Sequence, residues 1–235
     1  MQWSDTEYKL QVRERLRAIS QRIRQAQEKT GRAKETVRLI AVTKYVDVQR
    51  VLALQSEGLK DFGENRWQSA SSKVEALSAG TWHFIGPLQR NKVSAVARHF
   101  AWIHSVDRPQ LADEIGRVAN QLGKTVSVLL QVNISGEQQK SGIAPAQALD
   151  LLLHCTALSG VAVRGLMAIG RQVDDPEGAR RDFAELRMLR DRLQTASGVS
   201  LPELSMGMSN DFDVAVEEGA TMVRVGRLLV ASGTS

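Results

Sequence analysis

The sequence predicts a single α/β domain closed as a (β/α)8 barrel of the TIM type. Three observations carry this: eight short apolar or β-rich runs alternate with amphipathic segments, no Pro- or Ser-rich linker interrupts them, and 235 residues suit one such barrel. A hydrophobic share of 43% is enough for a full core. With aromatics at 5%, that core has to be built from branched aliphatics, alanine and methionine, as layers inside a parallel barrel usually are. Residues 1–235 are read as one domain.

An extra N-terminal helix precedes the barrel, from about Thr6 to Glu28. Tyr8, Val12, Leu16, Ile19, Ile23 and Ala26 recur there at three- and four-residue spacing and so share a face. Eight strands follow, ending near Lys44, Phe62, Ile85, His104, Asn133, Met167, Leu204 and Val225. Helical stripes lie between them: Trp67, Ala70, Val74 and Leu77; Leu111, Ile115, Val118 and Leu122; Phe183, Leu186, Leu189 and Leu193. The polar run 171–177, with Pro176, reads as a flexible loop after the sixth strand. Cys155, the only cysteine, excludes an intrachain disulfide and reads as a small buried hydrophobe.

Charge narrows the function classes. The net charge of +5 is scattered, although Arg13, Arg15, Arg17, Arg22 and Arg24 crowd the opening helix and would attract an anionic partner weakly. No aromatic interleaving or nucleic-acid motif accompanies them, so nucleic-acid binding is not the expected primary function. The first residues lack a signal-peptide core, and no run of eighteen apolar residues occurs, so a soluble cytoplasmic protein is expected.

Active sites of such barrels sit at the carboxyl ends of the strands. Lys44 closes the run Val37–Lys44, where a lone amine is expected to be partly buried. Desolvation would lower its pKa toward the neutral, nucleophilic amine that Schiff-base chemistry with an aldehyde cofactor needs. The plainer reading is a strand-end lysine reaching solvent. Asn65 after the second strand, His83 in the third, Asn133 after the fifth and Met167 ending the sixth would ring the same mouth around a flat, aldehyde-bearing ring. Singly, an asparagine there reads as a turn former and His83 as a satisfied core residue.

A phosphate end is better specified. Leu204–Phe212 passes through a glycine turn into a helix over 212–218, with Ser209 or Asn210 as N-cap, and such a helix start suits a dianion. The last strand delivers Gly226 and Arg227 beside it, and barrel phosphate sites commonly use the loops after strands seven and eight. Arg224 lies inside that strand with Val223 and Val225 facing the other way. It either makes a buried ion pair or aims its guanidinium at a pyridine nitrogen, which would weaken the ring as an electron sink.

The strings Leu39–Lys44, Phe62–Asn65, Trp82–Lys92, Val132–Ser135, Lys140–Gly142, Gly165–Met167, Leu204–Ser209 and Val223–Gly226 resemble the pyridoxal phosphate homeostasis proteins, also called the proline-synthase co-transcribed family, over residues 10 to 228. The resemblance implies an alanine racemase N-terminal-domain-like barrel that holds pyridoxal 5′-phosphate (PLP) on Lys44, with phosphate near Ser209, Gly226 and Arg227 and ring nitrogen near Arg224. It also implies maintenance of vitamin B6 homeostasis without a dedicated catalytic activity, with transient contact to apo PLP enzymes among the open questions. Arg227 stands where the family usually has a threonine, and the usual glycine and basic ending are missing. A PLP-dependent racemase or decarboxylase is the alternative. Racemases of this fold, however, set a tyrosine from an additional domain opposite the lysine, and only Tyr8 and Tyr45 are present here. A basic interaction protein is the third reading. Lys140 reads as an ordinary surface amine, and the chain as a monomer.

Overall fold

The structure is a computed structural model that describes residues 5–77, 79–137, 139–171 and 174–231. Helix α1 (Asp5–Lys29) leads into alternating elements: β1 (Arg38–Val42), α2 (Val48–Ser56), β2 (Asp61–Glu64), α3 (Trp67–Ala76), β3 (Thr81–Phe84), α4 (Val93–His99), β4 (Trp102–Val106) and α5 (Pro109–Gln121). They continue through β5 (Val126–Gln131), α6 (Ala148–Thr156), β6 (Val161–Met167), α7 (Arg180–Ser197), β7 (Glu203–Ser205), α8 (Phe212–Glu217), β8 (Met222–Val225) and α9 (Arg227–Val230). The strands are parallel and close into a barrel in sequence order, with β1 bonded to both β2 and β8.

The two-residue period of each strand sorts its side chains between two cores. Ile40, Leu129, Met167 and Met222 cluster inside the barrel with Trp102 against them. Val223, Val225 and the apolar faces of the helices form the larger cluster outside the strands. Arg224 therefore shares the inward parity of Met222, as the alternation requires. Tyr8, Val12, Ile19, Ile23 and Ala26 of the α1 stripe are buried and Leu16 is half-buried, and the flank of that face carries ion pairs to α8, Arg22 to Asp213 and Lys29 to Glu217. These fix a helix that is outside the barrel repeat. Cys155 is fully buried, and its thiol is pushed up to about 12 by desolvation.

Several boundaries differ from the sequence reading. β2 continues past Phe62 to Glu64 because β3 pairs with it as far as Glu64–Phe84, and a cross-strand partner overrides the low strand preference of glycine and glutamate. β4 likewise continues past His104 to Val106. β5 stops at Gln131, and Val132 makes an isolated bridge to Ile143 before Asn133 turns into the loop. Within the expected loop, Gln172 and Val173 lie outside the described residues, whereas Pro176–Ala179 forms a 3-10 turn begun by Asp175, whose side chain accepts from the Glu177 N–H. Among the described residues no helix is long and apolar enough to cross a membrane.

Candidate functional site

The carboxyl ends of the strands form a mouth, and Lys44 stands on its rim. The expected partial burial of Lys44 is not observed: β1 ends at Val42, the chain turns outward, and the side chain is exposed with its Nζ 4.7 Å from the centre of the Tyr45 ring. The buried amine of this corner belongs to Lys73, which the sequence did not single out. Lys73 Nζ donates to the Thr43 carbonyl and to Glu64 Oε1, each at 2.7 Å, and the Thr43 hydroxyl donates to the same Glu64 oxygen at 2.7 Å. With the Thr43 N–H also donating to the Gly63 carbonyl at 3.0 Å, the residue preceding Lys44 is pinned through its hydroxyl, its carbonyl and its N–H while Lys44 itself projects. Asn65 follows β2 on the same rim, half-buried. The loop after β3 packs so closely on it that a Cβ at Gly86 would lie 2.4 Å from the Asn65 carbonyl oxygen.

The loops after β7 and β8, where the sequence leads one to expect a phosphate, come together, with one correction. Neither Ser209 nor Asn210 is the N-cap of α8; Asp211 occupies that position, and its carboxylate accepts from the Met208 N–H at 2.6 Å. This folds the loop back on itself, which requires Gly207 at φ +86, where a Cβ would lie 2.5 Å from the Ala215 Cβ. Burial raises the Asp211 pKa, opposed by the Met208 bond and by Arg224. Released from capping, the Ser209 hydroxyl meets the other loop: the Gly226 N–H donates to its Oγ at 3.3 Å. Gly226 lies beside Val42, two residues before Lys44, where a Cβ on residue 226 would come 3.4 Å from the Val42 Cβ. Arg227 opens α9 as an exposed residue and lines a cleft of about 250 Å³ with Tyr45, Asp47 and Arg50.

Beneath the mouth lies Arg224, only 4% exposed. Of the two alternatives the sequence offers, the buried ion pair is not formed: its hydrogen-bond partners are neutral, the Ser205 hydroxyl at 2.7 Å and the Ala168 carbonyl at 2.9 Å. Desolvation pushes its pKa down to about 10. Met167 is fully buried among the inner aliphatics below it. His83 is not on the mouth, where the sequence placed it. It faces inward toward the start of the strands, stacked on Trp102 and bonded through Nε2 to Asp61 at 2.9 Å, because the inward parity of β3 at that height points into the barrel. Asn133 donates to the carbonyls of Glu137 and Lys140 and so behaves as a turn former. Lys140 is paired with Glu137 at 2.8 Å.

The sequence reading also passed over His104 and Ser205, both fully buried or nearly so. The signal that could have found them is parity: polar residues at the inward position of a strand are costly unless partnered. Burial holds both imidazoles neutral, His83 against the pull of Asp61 and His104 further below the ordinary value. A histidine whose folded pKa lies below the unfolded value of about 6.5 binds fewer protons folded than unfolded. Its stabilising contribution is complete above that value and is lost as the pH falls beneath it. Denaturant titrations should therefore show stability declining between about pH 7.5 and pH 5, and His104→Gln should remove up to about 1.4 kcal/mol per pH unit of that slope. Equal slopes in the two proteins would count against a buried neutral His104.

Known proteins bear on the site as now drawn. Residues 15–232 match the family model of the alanine racemase N-terminal domain. A pyridoxal phosphate homeostasis protein of Aquifex aeolicus is 44% identical over 218 residues, 92% of this chain and 96% of its own. PipY of Synechococcus elongatus, solved with PLP bound, superposes with a TM-score of 0.81 at 35% identity, covering 93% of this chain and 99% of that one. An alanine racemase of Clostridium difficile, at 14% identity and a TM-score of 0.73, shares the fold; the match covers 94% of this chain and 58% of the racemase. With relatives this similar along nearly their whole length, the chain belongs to the pyridoxal phosphate homeostasis protein family, built on the alanine racemase N-terminal domain barrel.

Proposed function

We propose that this chain binds PLP in the mouth of its barrel and keeps it available for vitamin B6 homeostasis in the cytoplasm, as a monomer without a dedicated substrate. The observation that carries this is the meeting of the Ser209 hydroxyl and the Gly226 N–H at 3.3 Å, above a buried Arg224 and beside the strand that presents Lys44. The donor set suits the cofactor: a hydroxyl, backbone N–H groups and a guanidinium for the dianion and ring nitrogen, and an amine for the aldehyde. Bound PLP supplies an aldehyde that captures amines and a conjugated ring that accepts charge. Lys44 is the capturing amine, Ser209, Gly226 and the Arg227 backbone hold the phosphate, Asn65 borders the ring, and Met167 lies in the apolar floor. His83, sealed within the barrel, reaches the ring only through Arg224.

The arrangement favours holding over turnover. Tyr45 sits on the same turn as Lys44, and Tyr8 is buried on α1 beneath Arg50, so neither is placed as a base opposite the lysine. An arginine at the ring nitrogen leaves the pyridine unprotonated and disfavours a carbanion. Incubating the PLP-loaded protein with L- and D-amino acids in deuterated water should show negligible loss of the α-proton, alongside reactivation of an apo PLP enzyme. Exchange at about 1 s⁻¹ or faster would establish a racemase-like enzyme instead. At the phosphate, Ser209→Ala should weaken PLP retention by about 1 to 3 kcal/mol, the range for a hydrogen bond to a charged group. Retention unchanged within error would leave the phosphate to the backbone around Gly226.

A further inference from the structure

Five side chains from five different strands form one hydrogen-bonded file through the barrel. It begins at Asp61, the first residue of β2, whose carboxylate is 20% exposed at the strand-start end, 3.6 Å from Arg38. His83 Nε2 lies 2.9 Å from Asp61 Oδ1, His83 Nδ1 lies 3.0 Å from His104 Nε2, and His104 Nδ1 lies 2.9 Å from Ser205 Oγ. Arg224 Nη1 closes the file at 2.7 Å from the same oxygen, and its Nη2 reaches the carbonyl of Ala168, just past the end of β6. The file thus crosses from one end of the barrel to the floor of the other.

Its ends dictate its interior. A guanidinium only donates and an ionised carboxylate only accepts. Every proton between them then has one consistent place: Arg224 donates to Ser205, Ser205 to His104 Nδ1, His104 Nε2–H to His83 Nδ1, and His83 Nε2–H to Asp61. Both imidazoles are neutral Nε2–H tautomers in this arrangement, which agrees with the burial that disfavours their charged forms. The reverse polarity would need a proton on Asp61, and a mixed one with neutral rings would set two lone pairs or two N–H groups against each other; a charged His83 could donate at both of its nitrogens, but its burial disfavours that form. A file with a single polarity is cooperative, each bond strengthening the next. The carboxylate at the far end thereby makes the Ser205 oxygen a better acceptor for Arg224, whose own partners are neutral.

We propose that Asp61, His83, His104 and Ser205 are positioning residues for Arg224, holding its guanidinium in one orientation beneath the mouth and coupling it to a carboxylate at the opposite end of the barrel. The consequence for the cofactor rests on the reading of Arg224 as the neighbour of the PLP ring nitrogen. The file itself does not.

Two arms separate these. Histidine ring ¹⁵N spectra of the PLP-free protein near neutral pH should show His83 and His104 both as neutral Nε2–H tautomers; an Nδ1–H tautomer or a charged ring at either position overturns the file. In the second arm, Ser205→Ala should lower PLP retention about tenfold, change the visible absorption of the loaded protein and alter the His104 Nδ1 resonance, while Ser205→Thr, which keeps the hydroxyl, restores all three. An alanine variant that is less stable yet has the wild-type spectrum and retention would make Ser205 merely structural and overturn the positioning role. Wild-type protein that takes up no PLP would refute the proposed function while the tautomers still judge the file.

Discussion

Lys44→Ala should abolish covalent capture of PLP while leaving the fold intact. The side chain is exposed on a turn, and its contact with the core chain of hydrogen bonds is indirect, through the backbone of Thr43. Truncation removes a cation–π contact with an exposed Tyr45 ring, worth about 0.5–1 kcal/mol at such a site. The apolar clusters inside and outside the barrel are untouched, so the stability change should stay within about 1 kcal/mol. Loss of the yellow absorption band, unchanged far-ultraviolet circular dichroism and, in wild-type protein, borohydride fixation of PLP on the Lys44 peptide are the expected results. Fixation solely on Lys140 or Lys92 would move the attachment point. Lys140 is a poor competitor, since its Nζ already donates to Glu137 and to the Gly170 carbonyl.

Lys73→Met should have the largest effect on stability, about 3–5 kcal/mol, because it strands a carboxylate that has no access to water. Glu64 is 0% exposed and the Lys73 side chain 6%, with 2.7 Å between them. After the substitution Glu64 keeps only the side-chain hydroxyls of Thr43 and Ser69, at 2.7 and 3.2 Å, and the Thr43 carbonyl keeps only the Val46 N–H of its two donors. Replacing both partners, Glu64→Leu with Lys73→Met, should recover much of the loss, since it is the unpaired charge and not the missing bond that dominates. Denaturation midpoints of the two variants decide this. A single variant within about 1 kcal/mol of wild type would mean that Glu64 is not held as a buried charge. The same substitution should slow PLP capture, because the pinned Thr43 is what directs Lys44 onto the rim.

The two substitutions mark how far the site was legible. Lys44 was found because an amine breaks an apolar run, a contrast visible within eight residues of sequence. Lys73 was missed because on α3 it looks like any solvated helix lysine; its burial follows from Glu64, at the end of a neighbouring strand. Likewise the sequence places Ser209 beside Gly226, as the structure has it, but also as a helix cap, which it is not. Asn, Asp and Ser all suit that position, and the choice fell to Asp211 once the loop folded back to bond Met208.

By itself the sequence determined what repeats or alternates locally: the eight strand-helix units, the stripe on α1, the outward Val223 and Val225 against the inward Arg224, and the loops that end the last two strands. Periodicity fixes which face a residue shares, and faces suffice to build a barrel. Only the tertiary structure decided what each inward polar group bonds to. His83 went to Asp61 and His104 to Ser205, 101 residues away, and Lys44 was left in solvent while Lys73 was buried. A buried donor or acceptor has to find its partner wherever barrel closure sets one within about 3 Å, and that distance is written in no local pattern.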